Sequence, residues 1–259
     1  MALRTSGLVL AVVLTALAAQ AGDAPSADDI ASHVATGSSF GWEGSKTVVK
    51  MTLSEKGGKK QERTLEILAR RKVGLLQSVV RLRAPADVAG TAFLTLEKAG
   101  GKTEQYVYLP GLNRTRRIVG REQEGSFMGS DFSYADLRRA DARDGTHKRL
   151  ADASVGDDAV YVLESAPAKK LKSSYSKVES FVRQSDFVPL RTRFYDGQGG
   201  LLKTLYSRRI KQSDGHPVVM EALMENAQTG HSTKLSVDSI ERRDSLPDSA
   251  FTPSALEHD

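Results

Sequence analysis

The sequence predicts a mainly β protein built on one antiparallel sheet, curled or closed on itself. Three observations carry this. Roughly ten or eleven short segments alternate apolar and polar residues with a period of two, the spacing of a half-buried strand. Turn signals separate them at regular intervals. No strong amphipathic helix interrupts the series, and no internal repeat or long low-complexity linker divides it, so residues 22–259 read as a single domain.

Ser26 followed by Asp29 resembles a capping box, and Ile30, Ala31 and Val34 make one apolar stripe, so a short helix is expected over Ala27 to Ala35. The Gly/Ser-rich stretch from Gly37 to Gly44 breaks it. The first strand follows, with Val49, Met51 and Leu53 on one face and Val48, Lys50 and Thr52 on the other. Glu55-Lys56-Gly57-Gly58-Lys59 supplies the positive φ a hairpin needs. Further strands are expected around Leu65 to Arg70, Leu76 to Leu82 (ended by Ala84-Pro85), Phe93 to Glu97 and Gln105 to Leu109, with the last two paired around Gly100-Gly101. After the middle of the chain the pattern resumes at Ala159 to Glu164, Ser176 to Val182, Pro189 to Tyr195, Leu201 to Ile210, Val218 to Met224 and Ser232 to Ile240. Asp196-Gly197-Gln198-Gly199-Gly200 is a turn within that series.

The central segment, Pro110 to Arg143, fits no strand pattern. Ser133 is placed to cap a short helix carrying Tyr134 and Leu137. Ahead of it, Phe127, Met128 and Phe132 sit among Gly125, Gly129 and small polar residues. Large apolar side chains exposed on such a loop mark a binding lip or lid.

Several function classes are disfavoured. Arg4, the apolar run Leu8 to Leu17 and the small-residue exit Ala19-Gln20-Ala21 form a secretory signal, with cleavage expected after Ala21. The run is shorter than the about 20 apolar residues a membrane span requires. The expected destination is the periplasm, where the absence of cysteine means stability rests on an ordinary core and not on disulfides. The formal net charge of +5 is mild and mixed along the chain, unlike the concentrated basic stripe of a nucleic-acid binder. His33, His147, His216, His231 and His258 are scattered without metal-ligand spacing, so no metal or other cofactor is expected. Gly125-Ser126-Phe127-Met128-Gly129 is not a nucleophile elbow, and no phosphate-binding or dinucleotide fingerprint occurs. The chain therefore reads as a non-enzyme.

Leu65, Ile67, Leu76, Val80, Leu82, Phe93, Tyr106 and Tyr108 read as core or as the lining of an apolar ligand cavity. A wide curled sheet with few helices leaves part of one face either enclosing such a cavity or covered by a second packed sheet. Several strands are apolar on both sides, so the inward face of each stays open. Arg114, Arg116 and Arg117 are either solvated charges that keep a sheet edge from pairing, or a docking patch for an anionic head group or acidic partner.

Tyr108-Leu109-Pro110, then Arg114, Arg116 and Arg117, then Gly125-Ser126-Phe127-Met128-Gly129-Ser130-Asp131-Phe132-Ser133-Tyr134-Ala135-Asp136-Leu137, resemble the signature of the outer-membrane lipoprotein-sorting protein family, similar to the LolA/LolB carriers. The resemblance continues through Tyr175 to Glu179, Pro189-Leu190, Phe194-Tyr195-Asp196, Leu202 to Leu205 and Leu246 to Pro253. It implies an incomplete, half-open antiparallel barrel, closed by short helices or loops as a lid, around a cavity for acyl chains of lipids or lipoproteins. It also implies association with transporters of the resistance-nodulation-division type.

Two functions are therefore expected in competition. The first is a periplasmic carrier that passes lipid or lipoprotein acyl chains toward an outer-membrane acceptor, with transient membrane contact and no cofactor. The second is a non-catalytic interaction subunit or sensor of an envelope transporter. A hydrolase with a non-local site is a distant third.

Overall fold

The computed structural model describes residues 24–36, 44–138, 145–168, 173–213 and 215–258. The expected signal peptide, residues 37–43 of the Gly/Ser-rich stretch and the end of the central segment lie outside the described residues. No helix among the described residues is long and apolar enough to cross a membrane.

One helix, α1 (Ala27–Thr36), precedes fourteen strands: β1 (Gly44–Ser54), β2 (Lys60–Lys72), β3 (Leu75–Ala84), β4 (Ala92–Lys98), β5 (Lys102–Leu109), β6 (Arg114–Ile118), β7 (Gly145–Arg149), β8 (Ala153–Val155), β9 (Asp158–Pro167), β10 (Lys177–Arg183), β11 (Pro189–Tyr195), β12 (Leu201–Ser213), β13 (His216–Asn226) and β14 (Ser232–Arg242). The strand count exceeds the expected ten or eleven because β6, β7 and β8 were not legible. Arg114-Thr115-Arg116-Arg117-Ile118 and Gly145-Thr146-His147-Lys148-Arg149 are largely polar strands without apolar alternation, and β8 has only three residues.

All strands join one antiparallel sheet in the order β6-β5-β4-β3-β2-β1-β14-β13-β12-β11-β10-β9-β7, with β8 also paired to β9. Each half is a meander whose hairpins lock neighbours together. The first and last strands pair along nearly their whole length, from Ser45 with Arg242 to Ser54 with Ser232, and this joins the halves. The sheet is not closed: β6 and β7 are its edges, and the chain crosses from one to the other between residues 118 and 145.

The described part of this crossing, residues 119–138, lies over one face of the sheet, here called the inner face. Strand alternation sends Val49, Met51, Leu65, Leu82, Phe93 and Val107 to that face, where they form the main core with Phe127 and Phe132 of the crossing segment. Helix α1 covers the same face at the β7 end, burying Ile30 and Ala31 against Leu163 and Val182. Its expected capping box is present: Ser26 N–H donates to Asp29 Oδ2 (3.0 Å) and Asp29 N–H to Ser26 Oγ (3.1 Å). His33 stacks on Phe187 at 4.1 Å.

The opposite, outer face of β2–β5 is covered by the C-terminal tail. Phe251 and Leu256 pack on Val79, Leu94 and Leu96. Arg70 secures the tail, lying 4.4 Å from the Phe251 ring centroid and donating to the Leu246 carbonyl at 2.6 Å. Arg81 donates to the carbonyls of Ala255 and Leu256.

Candidate functional site

The central segment folds as a small hairpin laid on the inner face. Phe127 N–H donates to the Phe132 carbonyl (2.7 Å), Ser130 N–H to the Phe127 carbonyl (3.0 Å) and Tyr134 N–H to the Gly125 carbonyl (3.1 Å). Its tip is Met128-Gly129, with φ of 53° and 73°. Positive φ at both central residues is the hairpin geometry that follows strand twist, and only the second position carries the glycine it favours. At the base, Ser133 and Asp136 exchange bonds: Ser133 N–H to Asp136 Oδ2 (2.7 Å) and Asp136 N–H to Ser133 Oγ (3.2 Å). They frame a single helical turn over Ala135–Leu137, the element Ser133 was expected to cap.

This hairpin is held to the sheet by side chains and not by ladder bonds. Lys203 of β12 donates to Asp136 Oδ2 at 2.6 Å and to the Asp131 carbonyl at 2.8 Å. The two side chains of that ion pair are only 6% and 7% exposed. Tyr175 OH donates to the other oxygen of Asp136 (2.8 Å). Burial, and next the Asp136 charge, push that phenol far above its usual range, so it stays a donor. Asp131 Oδ2 receives the Thr233 hydroxyl (2.7 Å) and lies 2.6 Å from His231 Nδ1. Arg63 of β2 donates to the Met128 carbonyl, and Gln105 of β5 to the Tyr134 carbonyl (2.7 Å). The clasps thus reach β2, β5, β12 and β14.

The expected site residues divide. Leu65, Ile67, Val80, Leu82 and Phe93 lie together on the inner face beneath the hairpin. Leu76 is half-buried on the same face by alternation, nearer the end of β3. Tyr106 and Tyr108, expected beside them, pack on the outer face with the C-terminal tail. The register explains the correction: Val107, between the two tyrosines, pairs with Phe93 and shares its face. Phe127, Met128 and Phe132 were expected as an exposed lip. Phe127 and Phe132 are instead buried, at 3% and 8% exposure, and Met128 is half-buried. Phe127 lies 5.5 Å from Phe93 and 5.8 Å from Tyr134, ring to ring. Arg114, Arg116 and Arg117 are exposed on the edge strand β6, where Arg116 pairs with Glu122 (2.8 Å) and Arg117 with Glu104 (3.0 Å).

Sequence reading missed Lys203, Asp131, Asp136, Tyr175, His231 and Thr233 as a set. Lys203 is buried in β12 among Leu201, Leu202 and Leu205, and a charged residue inside that largely apolar stretch was the available signal.

The polar groups do not form a catalytic relay. Nucleophilic chemistry needs the imidazole between carboxylate and hydroxyl; here the Asp131 carboxylate stands between His231 and Thr233. His147 Nδ1 lies 2.8 Å from Ser165 Oγ, but Ser165 is mid-ladder, in register with His147 on one side and Val178 on the other. Backbone donors in such a position serve neighbouring strands and not an oxyanion. No group of His, Asp and Glu among the described residues could hold a metal ion.

A large antiparallel sheet, open at its two edge strands and covered on one face by a clasped hairpin, defines the class of this protein. A putative outer membrane lipoprotein-sorting protein domain from Vibrio parahaemolyticus is similar to this chain at 31% identity and a TM-score of 0.83, over 90% of this chain and 98% of that one. A DUF1329 family protein from Desulfovibrio piger is 27% identical with a TM-score of 0.82, over 89% and 97% of the two chains. A LolA superfamily protein from Nitrosomonas europaea, 24% identical with a TM-score of 0.70 over 88% and 98%, shares the fold. A family model described as "Uncharacterized protein" matches residues 74–258. No protein of curated function matches. The chain belongs to the outer membrane lipoprotein-sorting protein family.

Proposed function

We propose that this protein is a periplasmic, non-catalytic carrier that takes up acyl chains of lipids or lipoproteins on its inner face and delivers them within the cell envelope. One observation carries the reading: the apolar inner face is covered by a hairpin fixed through side-chain clasps and not built into the sheet. A cover of that kind leaves without unpairing any strand. Acyl chains then replace Phe127 and Phe132 against Phe93, Leu65 and Leu82. Burial of hydrocarbon supplies the affinity, at about 0.8 kcal/mol per methylene, and no cofactor or covalent step is needed. The lipoprotein-sorting relative supports the same reading by its name.

The chain's lack of cysteine allows a direct test. The paired substitutions Asp131→Cys and Thr233→Cys replace residues whose side chains already touch, and oxidation then ties the hairpin down. Uptake of a fluorescent phospholipid should fall when the bond is closed and return on reduction. Equal uptake in both states overturns the role given to the hairpin.

A second reading is favoured by one feature, the exposed Arg114, Arg116 and Arg117 on the free edge β6. It makes the protein a contact subunit of an envelope transporter, with these arginines meeting an acidic surface. Charge reversal at all three would then abolish co-purification with the transporter while leaving bound lipid unchanged. Loss of lipid with the partner retained refutes it.

A further inference from the structure

Next to the apolar part of the inner face runs a stripe of another chemistry. The strand register places Ser45, Ala69, Ser78, Thr95 and Gln105 side by side across β1, β2, β3, β4 and β5. The adjacent row, one pleat along, is Thr47, Ile67, Val80, Phe93 and Val107, which is apolar except for its threonine. Ser45, Thr95 and Gln105 are fully buried. A buried polar row on a carrier's inner face is costly unless its groups find partners.

One group of this row, and one in the row beside it, lacks a partner. Thr47 and Thr95 are each 1% exposed, and neither hydroxyl has a hydrogen-bond partner. Thr95 stands in the stripe, and Thr47 borders it one row away across the same face. Gln105 is engaged, donating to the Tyr134 carbonyl of the hairpin and accepting from Gln123 at 3.3 Å. A buried threonine hydroxyl without an acceptor leaves a donor unpaired, at a cost a fold tolerates where a ligand completes it.

We propose that this stripe is the polar subsite of the carrier, and that Thr95 donates to the carbonyl oxygen of an ester-linked acyl chain. The inference rests on the carrier reading and adds the placement of the ligand: hydrocarbon on the Phe93 row and an ester linkage on the Thr95 row. Small side chains at Ser45, Ala69 and Ser78 suit the approach of a bulky glyceryl linkage. Hydroxyl donors without a cation in the row suit an uncharged carbonyl and not a phosphate.

The test compares two competitors that differ only in linkage. Purified full-length protein is loaded with a fluorescent fatty acid, which is displaced by dipalmitoylphosphatidylglycerol or by its dihexadecyl ether counterpart, which lacks the carbonyls. The ester lipid should compete better, by roughly three- to tenfold for each hydrogen bond. Thr95→Val, which keeps the shape and removes the hydroxyl, should erase most of that preference while leaving the ether lipid's competition unchanged. Because the substitution removes an unpaired buried donor, the variant should be at least as thermostable as the parent, so misfolding will not imitate the result. Equal competition by the two lipids in the parent overturns the subsite and leaves the carrier standing. Failure of both lipids to displace the probe overturns the carrier reading and the subsite together.

Discussion

Lys203 and Asp136 meet at 2.6 Å with both side chains almost fully buried, and their contact fixes the base of the hairpin to strand β12. The lysine also lies 5.4 Å from the ring centroids of both Tyr175 and Phe194. Two charges removed from water in this way depend on each other. Lys203→Met should therefore leave Asp136 uncompensated and destabilise the protein by about 3–5 kcal/mol. Urea denaturation measures this, and an unchanged midpoint would show that the pair is not a clasp.

The hairpin tip yields a second prediction. Met128 and Gly129 both take positive φ, a conformation that costs a side-chain-bearing residue roughly 1–2 kcal/mol. Gly129→Ala should lower stability by about 1 kcal/mol, although nothing within 4 Å opposes the added methyl. Met128→Gly relieves strain at its own position, offset by the loss of its contacts in the core. Thermal melts of the two variants should move in different directions or differ clearly in size; equal losses would contradict the turn assignment.

Phe127 separates the two roles a loop aromatic can have. As a cover occupying the ligand's place, its removal should ease entry of lipid. Phe127→Ala is expected to cost about 3–5 kcal/mol in stability, as for any large buried ring. Its uptake of fluorescent phospholipid under native conditions should nevertheless be faster than the parent's. Slower uptake by the folded variant would make Phe127 a ligand contact on a lip.

The C-terminal tail should respond to acid. Hydrogen bonds from Lys72 and then Arg70 hold the Asp248 carboxyl below its usual range. A carboxylate whose folded pKa is depressed adds stability above its unfolded value, about 4, and loses it as pH falls through the folded value. Tail attachment should thus be constant near neutrality and weaken below about pH 4. Asp248→Asn should show the weakened attachment already at neutral pH. Limited proteolysis at Leu246–Thr252 reads this out, and identical cleavage of parent and variant at neutral pH would contradict it.

What the sequence disclosed follows what leaves a periodic trace. Strands with one apolar face, such as β1 with Val49, Met51 and Leu53, were legible along with their Gly-centred turns. So was the reciprocal bonding of Ser26 with Asp29. Strands β6 and β7 were not, because segments rich in Arg, Lys and His show no apolar alternation even where every second residue is partly buried. The central motif stood out by its Gly and aromatic pattern, yet its burial did not. Whether Phe127 faces water or a core depends on its packing against Phe93 of β4 and on the hairpin's clasps to β2, β12 and β14, distant in the chain. The inward face of β5 was likewise undecided, since Tyr106 and Val107 are both large and apolar. Only the pairing of Val107 with Phe93 assigns it.

The carrier reading is tested most directly by native mass spectrometry, with organic extraction, on protein recovered from periplasm without detergent. Phospholipid or lipoprotein bound at a defined stoichiometry, and lost when the hairpin is locked before loading, is the expected result. A clean mass without lipid, from protein that also fails to take up added fluorescent lipid, would contradict it.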